Sequence, residues 1–270
     1  MYVNLGYLNI APRFNNVFET GGNRIAYNYE DQKVLGIEAG YGLKFNRFTA
    51  IVNIYRTQWQ NKPGETIIPI ALPSDETVNY RINKIDALHK GIELETNFKI
   101  IPQKLDWENA FSLGDWRYKT NDSAKIYDDV TGAQIGKTIF YSANNVHVGN
   151  AAQLQYSTSM RYEFIKDFYV KFRYTFFGKN YANFAPDALN GVNANRDSWK
   201  MPNYSMLDLF TGYEAKGPKS VRYNFTLGVT NALNNKYISD AQNGTDFTAS
   251  TATVFFGQGR RFVAGVKVSF

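Results

Sequence analysis

A chain of 270 residues, 44% of them hydrophobic, is long enough for one large domain, and no shift in composition divides it. The absence of cysteine excludes a disulfide framework and a thiolate metal site, and the +6 net charge comes from Lys and Arg scattered singly, which argues against a nucleic-acid footprint. No apolar run approaches the roughly 20 residues of a spanning helix, yet 16% of the chain is aromatic, the composition of strands and membrane interfaces.

Met1-Tyr2-Val3-Asn4-Leu5-Gly6 lacks the basic start and apolar stretch of a signal peptide, so an exported protein would carry its leader upstream or have lost it. A strand is predicted there instead, over 2–9. The next covers 33–45, where Leu35, Ile37, Ala39, Tyr41, Leu43 and Phe45 alternate with Gly36, Glu38, Gly40, Gly42 and Lys44. Strands follow at 48–60, 80–100, 104–120 and 147–165. In the last of these Leu154, Tyr156, Thr158, Met160, Tyr162 and Phe164 oppose Gln155, Ser157, Ser159, Arg161 and Glu163. The series continues at 168–181, 204–216, 220–231 and 257–270. About ten strands result, each with one apolar and one polar face and each long enough to cross a bilayer at a tilt.

The connections alternate too. Asn46-Arg47, Pro102-Gln103, Lys166-Asp167 and Gly217-Pro218-Lys219 are very short turns, whereas 10–32, 61–79, 121–146, 182–203 and 232–256 are long polar stretches. Short turns on one side and long loops on the other describe an outer-membrane barrel; a soluble sandwich has no reason to sort its loops by length. The fold class expected is therefore an all-β antiparallel transmembrane barrel segment, with Phe270 at the periplasmic rim. Trp59, Trp107, Tyr118, Phe168 and Tyr204, near strand ends, fit either interfacial girdles or ordinary strand-forming positions.

At the C-terminus, Gly265, Val268 and Phe270 fit the spacing of the barrel-assembly signal of outer-membrane proteins, with Val263 where a polar residue is usual. Further segments resemble the second half of a TonB-dependent receptor barrel. These are Ala87-Leu88-His89-Lys90-Gly91-Ile92-Glu93-Leu94-Glu95, Tyr204 to Tyr213, Val229-Thr230-Asn231-Ala232-Leu233 with Tyr237, and Gly259-Arg260-Arg261-Phe262. Gly6 to Phe14, an aromatic followed by Pro-Arg-Phe, is similar to a loop entry of the same family. The resemblance spans the whole chain and implies a bacterial outer-membrane location, contact with lipid and the barrel-assembly machinery, and uptake of a small nutrient such as an iron–siderophore complex, haem, a vitamin or an oligosaccharide. Family members also carry a plug domain that couples to TonB, ahead of a barrel of about 22 strands. The expected reading of residues 1–270 is thus the C-terminal part of such a barrel, with a self-standing small barrel, acting as a passive pore or rim protease, as the alternative.

On that resemblance the long-loop side is the ligand surface, and Arg13, Asn15, Asn16, Trp59, Trp116, Tyr181, Asn183 and Trp199 are its candidate contacts. Nothing points to catalysis or to a cofactor. His89 and His147 are the only histidines, neither is read as half of an Asp–His pair, and no G-x-S-x-G is present. Asp128-Asp129-Val130-Thr131-Gly132 lacks the spacing and terminal Glu of a calcium loop and reads as a turn. Gly36, Gly40 and Gly42 lie within a strand, where they make room for a plug or for neighbouring side chains rather than bind phosphate.

Overall fold

The computed structural model describes every residue except 14–29, 63–66, 72–76, 82–83, 128–133, 185–187 and 219–220, and for 67–71, 77–81, 124–127 and 134–139 the backbone alone. In chain order the strands are β1 (Tyr2–Ile10), β2 (Gln32–Lys44), β3 (Phe48–Lys62), β4 (Ile67–Ala71), β5 (Thr77–Arg81), β6 (Ile85–Ile101), β7 (Leu105–Tyr118) and β8 (Asn121–Tyr127). They continue as β9 (Gln134–Ser142), β10 (Leu154–Ile165), β11 (Phe168–Gly178), β12 (Tyr204–Lys216), β13 (Arg222–Thr230), β14 (Ile238–Gln242), β15 (Thr253–Phe256) and β16 (Arg261–Ser269). Ten form one sheet in the order β1-β2-β3-β6-β7-β10-β11-β12-β13-β16, every neighbouring pair antiparallel. β1 and β16 are its two edges. The expected all-β, up-and-down wall is present.

Register makes the alternation of each strand into a property of the whole sheet. Phe48, Phe98, Trp107, Met160, Phe172, Leu209, Val229 and Phe262 are successive cross-strand partners, so one apolar row runs across eight strands. One residue away along each strand, on the opposite face, Thr49, Asn97, Glu108, Ser159, Arg173 and Asp208 form an equally continuous polar row. The apolar face stays open: Ile54, Ile92, Leu94, Phe172, Leu209 and Phe262 are all exposed. A wide apolar face with every interior strand paired on both sides is what a hydrocarbon environment requires, because unpaired backbone groups cost several kcal/mol there.

The short turns bring Phe45 and Phe48 together at one end of the wall, and Phe164 and Phe168 likewise. Phe270 follows β16 at this end, next to the short turn that joins β12 to β13. Of the five expected girdle aromatics, Trp107 and Phe168 lie on the apolar face. Trp59 and Tyr204 lie on the polar face, and Tyr118 packs against a loop core.

The strands are shorter than alternation predicts at three starts. Tyr80 and Arg81 belong to the hairpin strand β5, β10 begins at Leu154 and β16 at Arg261, so 147–153 and 257–260 lie outside the large sheet. Three of the long polar stretches hold two-stranded hairpins, β4–β5, β8–β9 and β14–β15. Pro69, which has no N–H to give, is tolerated in β4 because a two-stranded hairpin has a free edge.

Close packing is found in the loops. Tyr141, Ala143, Val146, Phe184, Leu189 and Phe247 form one buried cluster, and Ala182, Met201 and Ala241 a second. The loop backbones are paired across segments, as burial demands: Ser142 N–H donates to Leu189 O (2.8 Å), Ala182 N–H to Trp199 O (2.9 Å) and Asn183 N–H to Ala241 O (2.8 Å). A compact loop body therefore sits on the long-loop end of the wall.

Candidate functional site

One row of the polar face reads Gly6, Gly36, Thr57, His89, Trp116 across β1, β2, β3, β6 and β7. The row beneath reads Asn4, Glu38, Tyr55, Gly91, Gly114. Together they make a cleft of about 530 Å³, with Trp59 above and Glu93 below. Its floor is glycine and threonine. Its bank is aromatic: His89 stacks on Trp116 (5.4 Å between centroids, 28°), Trp59 lies tilted against His89 (6.3 Å), and the Trp116 indole N–H donates to the Tyr55 hydroxyl (2.9 Å).

Glycine lets these rings lie flat on the wall. A Cβ on Gly91 would come within 2.5 Å of the Tyr55 hydroxyl, and one on Gly114 within 2.7 Å of the Trp116 indole nitrogen. Gly40 likewise makes room for Tyr2, whose hydroxyl contacts Glu38 and Asn53, both at 2.7 Å. The expectation that lumen glycines accommodate neighbouring side chains holds for Gly40. Gly36 instead faces open space: a Cβ added there would find its nearest neighbour, Thr57 Oγ1, 4.0 Å away.

Gln153 fixes the upper end of the bank. It is 2% exposed; its amide oxygen accepts the Trp116 N–H (2.9 Å), and its Nε2 donates to Trp116 O (3.1 Å) and Val148 O (3.2 Å). Gln153→Leu keeps the volume but leaves the Trp116 N–H without its acceptor and takes one donor from each of two carbonyls, of which Trp116 O keeps the Val148 N–H, so a loss of about 2–4 kcal/mol is expected. A melting transition in detergent unchanged from the parent would refute this role.

Three of the loop candidates, Tyr181, Asn183 and Trp199, lie together in the loop body. Tyr181 is 7% exposed and stacks on His147 at 3.9 Å and 6°; burial pushes its phenol pKa up. Asn183 is tied through its backbone to Ala241 and Asn243, and Trp199 packs on the second loop cluster. Arg13 is exposed, and Asn15 and Asn16 lie outside the described residues, as do Asp128 to Gly132. One sequence expectation is corrected: His147 does have an acid partner. Its Nδ1 lies 2.6 Å from Asp197 Oδ2, and its backbone N–H donates to Asp197 Oδ1 (2.9 Å). The pair joins residues 50 apart in the chain, which no local motif reveals. With one ring face covered by Tyr181 and a side chain 12% exposed, this imidazole clamps two loops together.

Lower on the polar face, Glu108 accepts from Ser159 Oγ (3.0 Å) and faces Lys171 Nζ (3.7 Å), while Arg173 donates to Asp208 (2.6 and 3.1 Å), beside a cleft of about 400 Å³. Of the terminal signal residues, Val268 is on the apolar face, Phe270 just past the strand is fully exposed, and Gly265 is on the polar face beside Thr226.

No protein-family model matches the chain, and no curated protein matches it. Solved structures do. The copper transporter OprC aligns at 14% identity and TM-score 0.64, over 98% of this chain and 36% of that one. The FrpB iron transporter from Neisseria meningitidis aligns at 17% identity and TM-score 0.63, over 98% and 36%. The ferric yersiniabactin uptake receptor FyuA from Yersinia pestis aligns at 16% identity and TM-score 0.59, over 99% and 34%. The chain thus spans about a third of the length of these proteins. Its fold, from the apolar row to the terminal strand, is that of the barrel region of TonB-dependent receptors.

Proposed function

We propose that the chain is part of the barrel wall of a bacterial outer-membrane receptor, which binds a small nutrient on its long-loop side and imports it with energy delivered through TonB. The observation that carries this reading is the cleft: an aromatic bank on the polar face, beneath a packed loop body, in a wall whose other face is apolar across eight strands. Metal and iron uptake by the proteins of like fold supports the class of activity. On this reading Trp59 and Trp116, with His89 between them, touch the ligand. Tyr181, Asn183 and Trp199 hold the loop body over it, and Arg13, Asn15 and Asn16 are further candidate contacts. The free edges of β1 and β16 pair with further strands of a larger barrel, and a plug domain makes the contact with TonB. Gly265, Val268 and Phe270 are read by the barrel-assembly machinery.

Disrupting the gene is expected to abolish energised uptake of one nutrient while leaving passive permeability to small solutes unchanged. Loss of passive permeability instead would turn the reading to a pore, and fractionation of the protein away from the outer membrane would end it.

A further inference from the structure

Building on the receptor reading, we infer that the cleft is shaped for an uncharged, polyhydroxylated ligand, a neutral glycan, lying on the glycine floor against Trp59, His89 and Trp116. At Gly40, Gly91 and Gly114 an added Cβ would strike a ring or hydroxyl of the protein, so those glycines are explained by packing. Gly36 is not: it lies between two paired strands, and the nearest atom to an added Cβ is 4.0 Å away. Among the described residues no side chain occupies the flat strip at Gly36 beside the aromatic bank.

The chemistry of the lining suits a sugar. A pyranose presents an apolar face of C–H groups and an edge of hydroxyls, each both donor and acceptor. Indole and imidazole rings suit the first; a few placed polar groups suit the second. Here Tyr55, having accepted the Trp116 N–H, keeps its own proton to donate, and Thr57, Asn4, Glu38 and Glu93 supply further donors and acceptors.

The charge of the cleft favours a neutral ligand. Among the described residues the cleft is lined by two carboxylates, Glu38 and Glu93, and by no Lys or Arg. An anionic metal chelate or haem propionate would set like charge against Glu38 and Glu93 in a partly desolvated site, which is unfavourable. A neutral glycan uses the same carboxylates as hydrogen-bond acceptors.

The test takes the protein extracted from outer membranes in detergent. It is applied to an array of neutral, acidic and basic oligosaccharides and titrated separately with ferric tris-catecholate and with haem, following tryptophan fluorescence. At least one neutral glycan is expected to bind, and Gly36→Leu, whose Cβ meets nothing closer than 4.0 Å in the wall, is expected to weaken it at least tenfold. Trp116→Ala should do the same, with heat-modifiable migration on gels showing that both variants fold. If the chelate, haem or a charged oligosaccharide binds and Gly36→Leu abolishes it, the receptor reading stands and the glycan inference fails. If no probe binds in a manner sensitive to Gly36→Leu, both fail.

Discussion

Replacing Asn231 by alanine is expected to destabilise the long-loop end of the molecule by about 3–4 kcal/mol. Asn231 is 2% exposed and stands just past β13 with φ 48°, in the left-handed region that asparagine tolerates better than alanine. Its side chain makes three bonds: Nδ2 donates to Asn235 O (2.9 Å) and to Gln258 O (3.1 Å), and Oδ1 accepts the Asn235 N–H (2.9 Å). Its backbone N–H donates to Asp208 Oδ1 (2.9 Å), whose other oxygen takes Arg173. One residue therefore ties the start and the end of the loop between β13 and β16 to the charged face of the wall. Asn231→Gly should recover about 1 kcal/mol by relieving the backbone alone, and Asp208→Asn should be milder than either because Arg173 is half exposed and solvates readily. Thermal melting in detergent and limited proteolysis of residues 231–260 report the effect. An alanine variant as protease-resistant as the parent would show that the knot is redundant.

The second large effect separates the two faces. Leu94 sits in the apolar band of β6 between Lys90 and Ile100, and its cross-strand partners are Val52 and Phe111. Leu94→Arg is expected to cost about 2–4 kcal/mol of folding into a bilayer, the depth-dependent penalty for a charge facing lipid. Ser112→Arg, on the opposite face and paired across the sheet with Glu93, should be tolerated. Equilibrium folding into liposomes measures both. Equal penalties, or a smaller one for Leu94→Arg, would mean that the apolar face does not meet lipid.

The strands are legible because alternation over nine or more residues leaves little else the backbone can do with one apolar face. The strand expected from 147 begins only at Leu154, because over His147 to Gln153 the backbone turns to meet Trp116 and Lys179. Trp59 and Trp116 stand out as aromatics near strand ends. His89 does not, because its place between them depends on the register of three strands, and a single histidine in a strand carries no such information. Gly6, Gly36 and Thr57 are ordinary one by one and become a floor only when pairing brings them into line. Asn231 is visible as part of a family-like element, but its three-bonded knot joins residues up to 27 positions apart. What the sequence conceals is consistently the contact made across strands or between loops.

The two rows that cross the wall, one apolar and one polar, differ by a single step along every strand, and this makes the turns between strands a matter of parity. Left-handed residues at Gln103 (φ 64°) and Asp167 (φ 65°) close two of the tight ones. Adding or removing one residue from a tight turn, without a compensating bulge, would rotate all that follows by half a period, sending Phe172 and Leu209 inward and Arg173 and Asp208 toward lipid. A change of two residues would leave inside and outside as they are. The sides with long loops can spread an odd change over many residues; the sides with tight turns cannot. Length variation among proteins that share this wall should therefore be free on one rim and counted in even numbers on the other.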